Sequence, residues 1–181
     1  MMSFKAARRY AFAMFQSAVE LGVLEECKRD MDLIHETIEA ATDLALFLKS
    51  PIIKKDDKRE VLTKVFQKSV TKETMVLMNL LVTKGRESSL KQISERFSEL
   101  YNEHKNILDV DVNTAFDLDD QQTASLREAL EIITQKIVHL NTKVDSELIG
   151  GLSVRIHDTM YDGTVRHKMS QLKQQFSSET A

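Results

Sequence analysis

Ile107-Leu108-Asp109-Val110-Asp111-Val112-Asn113 decides how this chain is organised. Apolar and polar residues alternate along it with period two, the pattern of a strand with one face buried. Upstream of it the apolar period is that of a helix. Downstream, alternating and helical stretches follow one another. The chain therefore divides near residue 106 into two parts of different texture.

The upstream part reads as six helices. From Ser3 to Leu21 the residues Phe4, Ala7, Ala11, Met14, Phe15, Ala18 and Val19 recur at helical spacing, and Gly22 stops the run. A second helix runs from about Leu24 to Ala41, with Met31, Ile34, Ile38 and Ala41 on one stripe. A short third, Leu44 to Leu48, ends before Ser50-Pro51, because the residue preceding proline disfavours helical geometry. Asp57 and Glu60 have capping-box spacing and open a fourth helix through Phe66. Thr71 caps a fifth, Glu73 to Lys84, closed by Gly85; Ser88 or Ser89 opens a sixth to about Asn106. Helices this short are marginal alone, so their apolar stripes must pack together as an antiparallel bundle.

The downstream part reads as β-α-β-β-α. After the opening strand, Asp119 with Gln122 caps a helix to about Leu140. Lys143-Val144-Asp145 makes a short strand, and Gly151 to His157 alternates again. His157-Asp158-Thr159-Met160 turns back, and Asp162-Gly163-Thr164 leads into a last helix from Val165 to about Phe176. The expected fold is mainly α: a six-helix bundle over residues 1–105, then a small α+β domain over 106–181.

Composition removes several function classes. The 181 residues are 42% apolar and 29% charged, enough for a core and unlike a disordered tail. One proline and five glycines leave too little turn chemistry for an all-β fold, and neither GxxxxGK nor GxGxxG can be written. A single cysteine, Cys27, excludes an intramolecular disulfide and a cysteine-rich metal site. No apolar run is long enough to span a bilayer, and the N-terminus lacks a secretory pattern and reads as mature structure. A cytosolic setting is expected. Net charge is −3 overall, but residues 1–105 carry +2 and residues 106–181 carry −5. Neither value fits a nucleic-acid groove, and the asymmetry points to two parts with different partners.

Catalytic and metal motifs fail on inspection. Asp109, Asp111 and Asn113 copy the first calcium-loop positions, but Thr114 stands where glycine is needed and Asp120 where glutamate is needed. His35, His104, His139, His157 and His167 form no HExxH and no ligand pair on one helix. Cys27 has no cue for activation, and GxSxG is absent. No catalytic, cofactor-binding or metal residue is assigned. The run Lys54-Lys55-Asp56-Asp57-Lys58-Arg59 balances its own charge and reads as a solvated first helical turn. Gly150-Gly151 precedes a strand, where close backbone approach or a bulge is expected.

Two helices are apolar beyond one face. In the fifth, Met75 and Met78 join Leu77, Leu80, Leu81 and Val82 to cover nearly the whole circumference. In the first, Ala6, Tyr10, Ala13 and Met14 lie beside the core stripe as well as on it. Such helices are either central in the bundle or present a second face to a partner helix. Texture alone permits a helical adaptor for any amphipathic helix.

The sequence from Val144 through Gly150-Gly151 to Ile156 resembles the signature of the ATP synthase delta subunit family, which includes the mitochondrial oligomycin-sensitivity-conferring protein. Asp158, Tyr161-Asp162-Gly163-Thr164-Val165-Arg166 and Leu172 look like the same family's ending. Arg9-Tyr10-Ala11 with Ala13, Phe47-Leu48 with Pro51, Leu80 to Gly85-Arg86, and Val112-x-Thr114-Ala115 before Leu118 match in family order. Phe116 departs, standing where many members carry a small residue or proline.

The resemblance implies a non-catalytic subunit of the proton-translocating F-type ATP synthase. It would link the catalytic αβ hexamer to the peripheral stalk and resist the torque of the central shaft. The N-terminal helix of an α subunit would sit between the first and fifth helices, against Ala6, Tyr10, Ala13, Met14, Met78, Leu81 and Val82. The C-terminal domain would bind the b subunits, with Gly150, Gly151, Asp162, Gly163 and Arg166 as its signature. Asp162 would cap the last helix or pair with Arg166, four residues on. Membrane contact would be indirect, through the complex, at the cytoplasmic face of a bacterial inner membrane.

Overall fold

Helix α1 (Phe4–Leu21) ends at Gly22, whose φ of +70° few side chains tolerate. Helices α2 (Leu24–Ala40), α3 (Thr42–Lys49), α4 (Lys55–Phe66), α5 (Lys72–Thr83) and α6 (Leu90–Lys105) follow, with a short 3-10 turn at Glu87–Ser89 before the last. Then come β1 (Ile107–Thr114), α7 (Asp120–Thr134), β2 (Ile137–Val144), a 3-10 turn at Ser146–Leu148, β3 (Leu152–Ile156), β4 (Thr159–Asp162) and α8 (Val165–Glu179). The computed structural model describes residues 4–156 and 159–179. His157 and Asp158, and the side chains of Phe4, Leu172 and Phe176, lie outside what is described. The chain packs as two compact units, Met1–His104 and Lys105–Ala181.

The first unit is a bundle with one core. Phe66, Phe97, Met31, Ile34, Leu62 and Met78 are its largest fully buried side chains. Phe15 meets Phe97 edge-on at a centroid distance of 6.0 Å, which carries α1 against α6. Thr71 caps α5 as its sequence position predicts, its hydroxyl accepting from the Thr74 N–H at 3.4 Å. The expected capping box of α4 is absent. The N-cap is Lys54, three residues before Asp57, with no side-chain cap bond, and the helix starts at Lys55. Asp56 and Asp57 instead lie inside the first turn, where their charge suits the positive end of the helix dipole.

The second unit is a four-stranded mixed sheet in the order β2-β1-β3-β4. β1 pairs parallel to β2, with Ile107 opposite Ile137, and antiparallel to β3, with Val112 opposite Val154. Its residues 108, 110, 112 and 114 are buried while Asp109 and Asp111 are exposed, so the apolar–polar alternation of residues 107–113 is the pleat of a central strand. The three calcium-like positions lie along that strand and not in a loop. Leu108, Val110, Val112, Val138 and Val154 meet Leu130 of α7 to form the core.

Three expectations change here. The helix read to Leu140 stops at Thr134, where Gln135 takes a left-handed φ of 54°. Of the short strand read at 143–145, Lys143 and Val144 are the end of the eight-residue β2, and Asp145 lies beyond it as the cap of the next 3-10 turn. Ile133, Ile137 and Leu140 share helical spacing, but pairing of residues 137–144 with β1 outweighs it. Thr159–Asp162, read as a turn and its exit, is the fourth strand, paired to β3.

Candidate functional site

Two surfaces carry the residues singled out above. On α1, Ala6, Tyr10 and Ala13 fall on one flank of the core stripe, at intervals of four and three. Ala13 is exposed, Tyr10 is half-buried, and Ala6 is covered at 7% exposure. Arg86, just beyond α5, donates from Nη1 to the Tyr10 hydroxyl at 3.0 Å, and its guanidinium carbon lies 5.4 Å from the ring centroid. This cation–π and hydrogen-bonded contact sets α1 beside the end of α5.

Met14, Met78, Leu81 and Val82 are placed differently from the open groove lining expected of them. All four belong to the bundle core, at 6%, 1%, 1% and 0% exposure. The open apolar positions of α5 are Val76 and Leu80, and α1 adds Phe12 and Val19 on its other flank. The reason is geometric: a helix apolar all round must still turn its widest apolar arc inward. Arg86 as a partner of Tyr10 has no local signal, because 76 residues separate the two.

The second surface is the strand-to-helix junction of the C-terminal unit. Gly151 has φ +80°, and a Cβ there would lie 2.6 Å from the Gly163 carbonyl oxygen. Gly163 donates its N–H to the Leu152 carbonyl at 3.0 Å, and Val165 to the Gly150 carbonyl at 2.9 Å. The three glycines therefore let two backbone segments touch. Asp162 Oδ1 accepts the Thr164 N–H at 2.9 Å, and these Thr164 hydrogen bonds hold its carboxyl below the usual carboxylate range.

The expected pair of Asp162 with Arg166 is not formed. Thr164 takes the capping position, its hydroxyl accepting from the His167 N–H at 3.1 Å. Arg166 reaches Glu147 at 3.4 Å instead. Ile149, 60% exposed, holds a strained φ of 66° just before the glycines. Along α7, Ser125, Ala129, Ile132 and Ile133 share one exposed flank of small and apolar side chains. Among the described residues, no helix is long and apolar enough to cross a membrane.

The family profile described as ATP synthase delta (OSCP) subunit matches residues 6–176. A protein named ATP synthase subunit delta from Chloroherpeton thalassium is 36% identical over 92% of this chain and 91% of its own length. One of the same name from Chlorobaculum tepidum is 35% identical over the whole of both. Among solved structures, a chain of the Toxoplasma gondii mitochondrial ATP synthase hexamer matches the fold with a TM-score of 0.75 at 19% identity, covering 94% of this chain and 96% of that one. With the profile spanning nearly the whole chain and relatives above 30% identity end to end, this protein belongs to the ATP synthase delta (OSCP) subunit family.

Proposed function

We propose that the bundle holds the N-terminal helix of an α subunit on the surface between α1 and α5, while the C-terminal unit grips the b subunits of the peripheral stalk. As a family member the chain is a non-catalytic subunit of ATP synthase, a link in its stator. The observation that supports the first contact is exposed Ala13 beside half-buried Tyr10 on α1, with Arg86 hydrogen-bonded to that tyrosine. Small side chains there leave room for an incoming helix, and a half-buried tyrosine anchors it. The exposed flank Ser125, Ala129, Ile132 and Ile133 on α7 supports the second contact. Such a link performs no bond chemistry. It keeps the catalytic hexamer from turning with the shaft, at the cytoplasmic face of a bacterial inner membrane, and touches the membrane through the complex alone.

The test is calorimetric titration of the full chain with a synthetic peptide of the α-subunit N-terminus. Saturable heat in the micromolar range is expected. Ala13→Glu buries a charge in the contact and is expected to weaken binding at least about tenfold, a cost of about 1.4 kcal/mol. Ala40→Glu, at the exposed end of α2, is expected to leave it unchanged. Equal effects of the two substitutions would reject the surface.

A further inference from the structure

The charged run at the start of α4 is more than a solvated face. Lys55 Nζ donates to the Thr83 carbonyl at 2.9 Å, and Arg59 Nη2 to Thr83 Oγ1 at 3.4 Å. Both therefore bind the last residue of α5. Lys58 goes deeper. It is 3% exposed, and its ammonium donates to the Leu48 carbonyl at 2.8 Å and to Glu87 Oε1 at 2.6 Å. The Leu48 carbonyl is one that the end of α3 leaves without an intrahelical partner, and a cation there is favoured. Glu87 is 7% exposed, and its Oε2 is buried with no hydrogen-bond partner. Among the described residues Lys58 is the cation that pairs with it. A buried carboxylate with one counter-charge has little freedom to move, since leaving it exposes an unpaired buried charge.

Arg86 immediately precedes Glu87. Its backbone N–H donates to the Leu81 carbonyl at 2.8 Å, while its guanidinium engages Tyr10 of α1. Adjacent residues thus point one into the buried ion pair and one across to the helix-accepting surface. We propose that the Lys58–Glu87 pair is a latch that holds Arg86 against Tyr10 and thereby sets the α1–α5 surface to receive a helix. Lys58 and Glu87 are positioning residues, acting through Arg86 without touching the partner. The proposal rests on the helix-binding reading of that surface.

Two measurements on the full chain test it. The first needs no partner: nuclear magnetic resonance of the Tyr10 ring and the Arg86 Nε–H in the free protein. Lys58→Met is expected to shift and broaden both signals, and unchanged signals overturn the latch. The second is affinity for the α-subunit N-terminal peptide, read where circular dichroism shows each variant folded. Arg86→Met and Lys58→Met are each expected to weaken binding about tenfold. The double variant is expected to bind as Arg86→Met does, because Lys58 acts only through Arg86. Unchanged affinity in Lys58→Met, or losses that multiply, overturn the proposal. If Lys58→Met fails to fold, Lys58→Met/Glu87→Leu removes both charges at similar volume and gives the same readouts. A wild-type chain that ignores the peptide, while the variant still frees Tyr10, overturns the helix-binding reading and not the latch.

Discussion

Gly151 shows how one atom sets the C-terminal junction. Its positive φ strains any L side chain, and a Cβ would also strike the Gly163 carbonyl. Gly22 shares the positive φ, +70°, but a Cβ there would meet nothing within 4 Å. Gly22→Ala is thus expected to cost about 1 kcal/mol, from backbone strain alone, and Gly151→Ala about 3 kcal/mol. Thermal melting of the two variants would show the difference. Asp162 adds a pH signature. Its folded pKa is lowered by the Thr164 hydrogen bonds from an ordinary value of 3.8. Its contribution is therefore full above that value and is lost as pH falls through the lower, folded pKa. Asp162→Asn should melt below wild type at pH 7, and the gap should close as the pH drops below about 4. A gap that persists in acid would mean that charge plays no part.

At the scale of elements, local signals were legible where the chain itself supplies both partners. Asp119 and Gln122 form the reciprocal cap that their spacing predicts, with bonds of 2.7 and 3.1 Å. Asp57 and Glu60 have the same spacing but lie within α4, because the helix begins at Lys55. Asp119→Ala is accordingly expected to destabilise by about 1 kcal/mol, and Asp57→Ala by a few tenths. Urea unfolding separates the two values. The first half of strand β2 reads as helix, and only its end as strand, because its pairing partner is 30 residues away and Ile133, Ile137 and Leu140 mimic a helix. The candidate surface was half legible for a related reason. Hydrophobicity marks α1 and α5 as unusual, yet it does not tell an inward methionine such as Met78 from an outward valine such as Val76. The contact of Tyr10 with Arg86 and the burial of Lys58 depend on tertiary neighbours that spacing does not encode.

At the scale of the whole molecule, two compact units of opposite charge fit a chain with two protein partners. On the proposed reading, the flank of the helical unit would take an α-subunit helix, and the exposed apolar side chains of the sheet-bearing unit would take the stalk. A link of this kind must transmit torque while leaving chemistry to its neighbours. The most direct test compares two rates in inside-out membrane vesicles depleted of this subunit, before and after the purified chain is returned. ATP hydrolysis should persist without it, and ATP-driven proton uptake should be lost without it and recover on its return. Proton uptake undiminished in its absence, or hydrolysis falling in step with uptake, would contradict a role as the static link.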